Sequence, residues 1–151
     1  MILYMDTSSL VKLYVSEKET PATKHLVEAT EVIATSRLAY VEARAAFARK
    51  HRERGVGLRD YRNILQIFDN DWESYFVVDI SEALVKMAGQ FAEKHALRGY
   101  DAIHLASAVT LRREGDQPVA FSCFDGRLSG CTSRRPQGHL LDYRERLQFH
   151  A

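Results

Sequence analysis

The segment Ile2-Leu3-Tyr4-Met5-Asp6-Thr7-Ser8-Ser9-Leu10 carries an apolar run of four residues and then changes character at Asp6. Four residues are too few for a buried helix and suit a short interior strand, so the chain delivers Asp6 to the point where a strand ends. Residues 7–15 then read as a helix, with Leu10, Leu13 and Tyr14 on its apolar side.

The same alternation continues along the chain. A short helix over 19–29 is followed by a strand at 32–34 and a helix over 37–53. Thr35 or Ser36 can cap that helix, Ala39, Ala43, Ala46 and Phe47 form its packing side, and Gly55 and Gly57 end it. Helical spacing returns in Leu58–Trp72, strand composition at 75–78, and helical spacing again at 81–95 and 100–113. Val119–Ser122 reads as a strand, and Leu140-Leu141 as a last short one. Short apolar strands separated by helices predict an α/β fold, a mainly parallel central sheet flanked by helices on both faces. Ligands of such sheets bind beyond the carboxyl ends of the strands.

Composition sets the outer bounds. The chain has 151 residues, 46% of them hydrophobic, with three prolines and eight glycines, which excludes a disordered tail or a low-complexity spacer. At 17.2 kDa, with no internal repeat or linker, residues 1–151 are expected to form one domain; 129–138 read as a loop. Twenty-one basic against twenty acidic side chains give a net charge of +1, so no global field marks a nucleic-acid binder, although a basic rim can coexist with an acidic pocket. No apolar stretch approaches the roughly 20 residues of a bilayer span, and no signal peptide follows Met1, so the expected location is cytoplasmic. Cys123 and Cys131 lack the companions of a zinc site and read as reduced thiols.

The parallel topology has a chemical consequence. Asp6 follows the first strand and Asp125 the last strong one, so both emerge at one sheet edge. Glu42 stands among Ala39, Ala43, Ala45 and Ala46, and Asp101 opens the helix before Ile103. Each has a structural alternative: a helix cap for Asp6 and Asp101, a surface pairing for Glu42, a turn for Asp125-Gly126-Arg127. Carboxylates brought together repel, and must take up protons, pair with bases or bind a cation. Hard oxygen ligands suit Mg²⁺ or Mn²⁺, one ion or two, and such ions support phosphodiester cleavage.

At these residues the chain resembles the PIN-domain nucleases, and among them the VapC-like toxins of type II toxin–antitoxin pairs, over nearly its whole length. The resemblance rests on Tyr4-Met5-Asp6-Thr7-Ser8-Ser9-Leu10, Tyr40-Val41-Glu42-Ala43-Arg44, Gly99-Tyr100-Asp101-Ala102-Ile103-His104-Leu105-Ala106-Ser107-Ala108 and Phe121-Ser122-Cys123-Phe124-Asp125-Gly126-Arg127-Leu128. It implies a PIN-like three-layer sandwich and a metal-dependent endoribonuclease in which Asp6, Glu42, Asp101 and Asp125 are both catalytic and metal-binding. Cys123 occupies a position where many relatives carry Thr or Ser, with Ser122 beside it. The resemblance further implies a homodimer, a VapB-like antitoxin over the groove, and operator DNA met only through that antitoxin. A noncatalytic PIN-like module that binds an antitoxin and takes part in DNA regulation is the alternative; a phosphatase is disfavoured because Asp6-Thr7-Ser8 lacks the paired carboxylates of aspartyl-phosphate chemistry.

Four further residues are assigned to substrate. Ser8 can orient Asp6 or simply hydrogen-bond the helix start; His104, three residues beyond Asp101, can face the pocket or pack; Arg98 and Arg127 can hold phosphates or lie solvated on loops. Arg134 and Arg135 carry the same two readings as those arginines. Arg44, Arg49, Lys50, Arg52 and Arg54 make a basic helical tail able to steer RNA or to pair with an acidic segment.

Overall fold

The computed structural model describes residues 1–16 and 20–124, the side chains of 20–22 excepted. Asp125, Arg127, Arg134, Arg135, Cys131, the 129–138 loop and the Leu140-Leu141 strand lie outside the described residues.

Among the described residues four strands, β1 (Ile2–Met5), β2 (Val32–Ser36), β3 (Phe76–Val78) and β4 (Val119–Ser122), form one parallel sheet in the order β3-β2-β1-β4. The first strand is therefore interior, paired through Ile2 with Val32 on one side and with Val119 on the other. The period-two alternation of a strand sends its side chains to two different cores. Tyr4, Ala34, Val119 and Phe121 join one core beneath α5 (Glu82–His95) and α6 (Gly99–Glu114). Leu3, Met5 and Ala120 join the other, beneath α1 (Thr7–Val11), α3 (Leu38–Arg52) and α4 (Leu58–Trp72), while α2 (Thr20–Glu28) leads into β2. This is the expected three-layer α/β sandwich with a parallel central sheet.

Several boundaries differ from the sequence expectation for local reasons. The first helix closes at Val11, and the chain continues through turns in which Leu13 and Tyr14 donate their N–H groups to Leu10 and Val11. Helix α3 begins after Arg37, but Ser36 still serves its start, its Oγ accepting the Leu38 N–H at 3.3 Å, while Thr35 spends its hydroxyl on the Met5 carbonyl at 2.7 Å. That Thr35 bond ties β2 to the residue just before Asp6.

The end of α3 is unexpected. The left-handed residue is Arg54, at φ 58°, ahead of the Gly55 expected to serve there, and Gly57 precedes the next helix as its N-cap. Ala96, at φ 51° and ψ 41°, closes α5 in the same way. A side chain in this region costs about 1–2 kcal/mol, part of which a glycine would return through its looser unfolded state. Ala96→Gly is therefore expected to stabilise the protein by about 1 kcal/mol, a rise of roughly 2–4 °C in thermal unfolding followed by circular dichroism.

A polar cluster bridges the turns after α1 and the end of α4. Tyr14 donates to Asp71 Oδ2 at 2.9 Å and shares a short hydrogen bond with the Tyr75 hydroxyl. Burial, reinforced by the Asp71 charge, pushes the Tyr75 phenol up to about 12, and burial raises Tyr14 further. The folded state thus holds these protons when the unfolded chain has released them, so stability is intact below about pH 10 and falls as pH climbs to about 12. Urea unfolding across that window should show a loss on the order of 1–2 kcal/mol after allowance for partial exposure, and a shallower slope in Tyr75→Phe.

Candidate active site

In parallel sheets with antiparallel helices, the carboxyl ends of strands and the amino ends of helices share one edge. Asp6 leaves β1 at that edge, Glu42 sits one turn into α3 just beyond β2, and Asp101 lies in the first turn of α6. All three line a single open pocket of about 480 Å³, together with Thr7, Ser8, Lys12, Arg49, Lys50, Arg98, His104 and others.

Asp6 is buried and caps α1, accepting the Ser9 N–H at 2.9 Å; Ser8 Oγ donates to its carboxylate at 2.8 and 2.9 Å. Asp6 therefore both caps α1 and lines the pocket. Ser8 in turn accepts the Phe124 N–H at 2.9 Å, which links the carboxylate to the chain leaving β4. Burial raises the Asp6 carboxyl above its ordinary range, against the opposing influence of His104 and the Ser8 and Ser9 donors. A buried carboxylate so placed gains most from a positive charge.

Glu42 does not make the surface pairing that its helix position allowed. Its Oε2 accepts from His104 Nε2 at 2.8 Å and from Thr7 Oγ1 in a short contact. Burial pushes the Glu42 carboxyl up, but the hydrogen bonds from His104 and Thr7 outweigh it and bring the group below its usual range. Asp101 is buried and accepts from Arg98 Nε at 3.1 Å.

His104 lines the pocket, yet only 3% of it is exposed, and both ring nitrogens meet protein partners. Nδ1 lies 3.0 Å from the Tyr4 hydroxyl, whose ring stacks on Phe121 at 5.4 Å. Lys12 is a further cation that sequence reasoning passed over: it is buried, lines the pocket, and lies 4.5 Å above the centre of the Phe124 ring. Its spacing six residues after Asp6, on the turn that closes α1, was the available signal. Cys123 is half-buried and packs against the α5–α6 core, while the hydroxyl next to it, Ser122 Oγ, bonds Ser9 Oγ at 3.0 Å.

The donor set is oxygen, the chemistry that suits a hard divalent ion. Among the described residues no three acid, histidine or cysteine side chains close into a metal-holding cluster; the carboxylates face one pocket while each is partnered by its own neighbours.

The PIN domain family model matches residues 3–128. The chain belongs to the PIN-domain family. Within the family it is VapC-like, a toxin type of toxin–antitoxin pairs: Ribonuclease VapC47 of Mycobacterium tuberculosis is 35% identical over 139 residues, covering 86% of this chain and 90% of the relative. Ribonuclease VapC49 of the same species is 32% identical over 127 residues, covering 84% and 86%. Among solved structures, the PIN-like fold is shared with M. tuberculosis VapC20, a sarcin-ricin-loop-cleaving toxin, at TM-score 0.63 and 21% identity over 85% of this chain and 94% of that one. A toxin–antitoxin complex from Klebsiella pneumoniae contains a similar chain, at TM-score 0.61 and 19% identity over 84% and 89%. No helix among the described residues of this PIN domain is long and apolar enough to cross a membrane.

Proposed function

We propose that this chain is a Mg²⁺- or Mn²⁺-dependent endoribonuclease that hydrolyses RNA phosphodiester bonds as the cytoplasmic toxin of a toxin–antitoxin pair. The observation that carries the reading is the convergence of Asp6, Glu42 and Asp101, from three separate elements, on one pocket that also receives Lys12, Arg49, Lys50 and Arg98. Acids alone would repel an RNA phosphate, and bases alone would bind it without chemistry; the two together suit a cation-assisted cut.

In this reading Asp6, Glu42 and Asp101, with Asp125, hold one or two ions. Bound there, such an ion would supply Lewis-acid stabilisation of charge on the phosphate oxygens and a more nucleophilic water. Ser8 holds the Asp6 carboxylate in place, Arg98 orients Asp101, and the basic residues of the rim, with Arg127, draw in the RNA backbone. VapB-like antitoxin binding, homodimerisation and indirect contact with operator DNA complete the proposal. The antitoxin and operator parts of this reading draw on the Klebsiella complex and on VapBC2 from Rickettsia felis bound to a fragment of its promoter, a chain of which matches at TM-score 0.53.

The deciding experiment is time-resolved cleavage of total cellular RNA by antitoxin-free protein with Mn²⁺ or Mg²⁺, beside EDTA and Asp6→Asn controls. Discrete fragments that vanish in both controls are expected. Absence of fragments across the metal series would favour a noncatalytic antitoxin-binding module.

A further inference from the structure

We propose that Tyr4 and His104 form a buried positioning relay that holds Glu42 by Oε2 alone and leaves Oε1 as the oxygen offered to a cation. The inference rests on the metal-site reading above and assigns His104 a role inside the protein instead of on the substrate.

The geometry runs in one line through three elements. Tyr4 on β1 is fully buried, with its ring direction set by stacking on Phe121 at 5.4 Å and 7°. Its hydroxyl lies 3.0 Å from His104 Nδ1 on α6, and His104 Nε2 lies 2.8 Å from Glu42 Oε2 on α3. Thr7 Oγ1 donates to that same oxygen and sits 3.1 Å from Nε2. Among the described residues, every hydrogen bond to Glu42 falls on Oε2.

An ionised carboxylate only accepts hydrogen bonds, so the ring nitrogen that faces it must carry the hydrogen. In the neutral ring Nδ1 is then the acceptor, and the Tyr4 hydroxyl is the donor that meets it. The Glu42 carboxylate thus calls for the Nε2–H tautomer, and the Tyr4 hydroxyl, which can donate or accept, reinforces it by donating to Nδ1. Such outer partners set ligand direction at metal sites, and their loss typically weakens metal binding by about 10–100-fold. With 3% of His104 exposed and both nitrogens engaged, its ring is built into the wall of the pocket.

The test needs no RNA. Long-range ¹H–¹⁵N spectra of the full chain without metal read the His104 tautomer, and calorimetric titration with Mn²⁺ reads affinity in wild type, Tyr4→Phe, His104→Ala and His104→Gln. The proposal expects Nε2–H with a bare Nδ1 in wild type and a mixed or inverted tautomer in Tyr4→Phe. It also expects Mn²⁺ affinity about 10-fold or more weaker in His104→Ala. His104→Gln should recover much of that loss, because its amide N–H can stand where Nε2–H stood. A wild-type ring protonated on Nδ1 alone or on both nitrogens would overturn the relay, as would unchanged affinity in a folded His104→Ala. Should that variant fail to fold, the Tyr4→Phe spectrum and affinity decide instead. Wild-type protein that takes up no Mn²⁺ would fell the metal-site reading itself, and the relay with it; normal wild-type uptake with indifferent variants would fell the relay alone.

Discussion

Asp6→Asn is expected to raise the melting temperature of the metal-free protein while removing its nuclease activity. The Asp6 carboxylate is buried, and burial disfavours its charge despite the Ser8 and Ser9 donors. An asparagine oxygen can still accept the Ser9 N–H, so the cap of α1 survives while the charge disappears. The gain should be about 1 kcal/mol, or roughly 2–4 °C. Cleavage should fall by roughly 10²–10³-fold, the scale seen when one pre-organised polar group is withdrawn from a reacting centre. Mn²⁺ at about 100 times its Kd would stabilise wild type by about 2.7 kcal/mol, and Asp6→Asn should lose most of that increment. Calorimetry with and without Mn²⁺, run beside the cleavage assay, checks both signs. Undiminished cleavage at equal metal concentration would remove Asp6 from the chemistry.

Phe68→Ala is expected to be among the most damaging core substitutions. Phe68 is fully buried on α4, and its ring meets Tyr14 at 5.3 Å, Phe47 at 5.4 Å, Tyr40 at 5.5 Å and Trp72 at 5.6 Å. Four rings surrounding a fifth cannot close over the space left by a methyl group, so the loss combines transfer and cavity contributions, about 3–5 kcal/mol. Set against a total stability of roughly 5–15 kcal/mol for a native protein, this is a large fraction. Urea unfolding should show the midpoint falling accordingly, and a loss under about 1 kcal/mol would mean that α4 docks by other means. Tyr40 and Phe47 belong to α3, the helix that carries Glu42, so weakened packing on this side should also lower activity below the melting transition.

Much of this arrangement could be read from local pattern. The bounds of α4 follow from Tyr61, Ile64, Leu65 and Phe68 at helical spacing, and the abrupt change from Met5 to Asp6 marks the strand end. The placement of three acids at one edge follows from parallel strands joined by helices, without any side-chain detail. What escaped the sequence is long-range. Tyr4 reads as one more apolar strand residue, because its hydroxyl finds His104 a hundred positions later in the chain. Nothing in Tyr40-Val41-Glu42 announces that Glu42 will meet a histidine from α6. Lys12 was hidden by the expectation of a continuous helix to residue 15, which would have placed it among ordinary solvated lysines. Arg54 escaped because a glycine stood next to it and offered the simpler helix end.

The position of β1 in the middle of the sheet has a consequence for timing. Ile2–Met5 is synthesised more than a hundred residues before one of its two neighbours, Val119–Ser122. At roughly 5–20 residues per second, the strand that carries Asp6 to its place waits on the order of ten seconds at the ribosome with one flank open. Asp101 also appears late in that interval. Asp6, Glu42 and Asp101 can therefore share one wall only after α6 has emerged, so the pocket is among the later features of this fold to assemble.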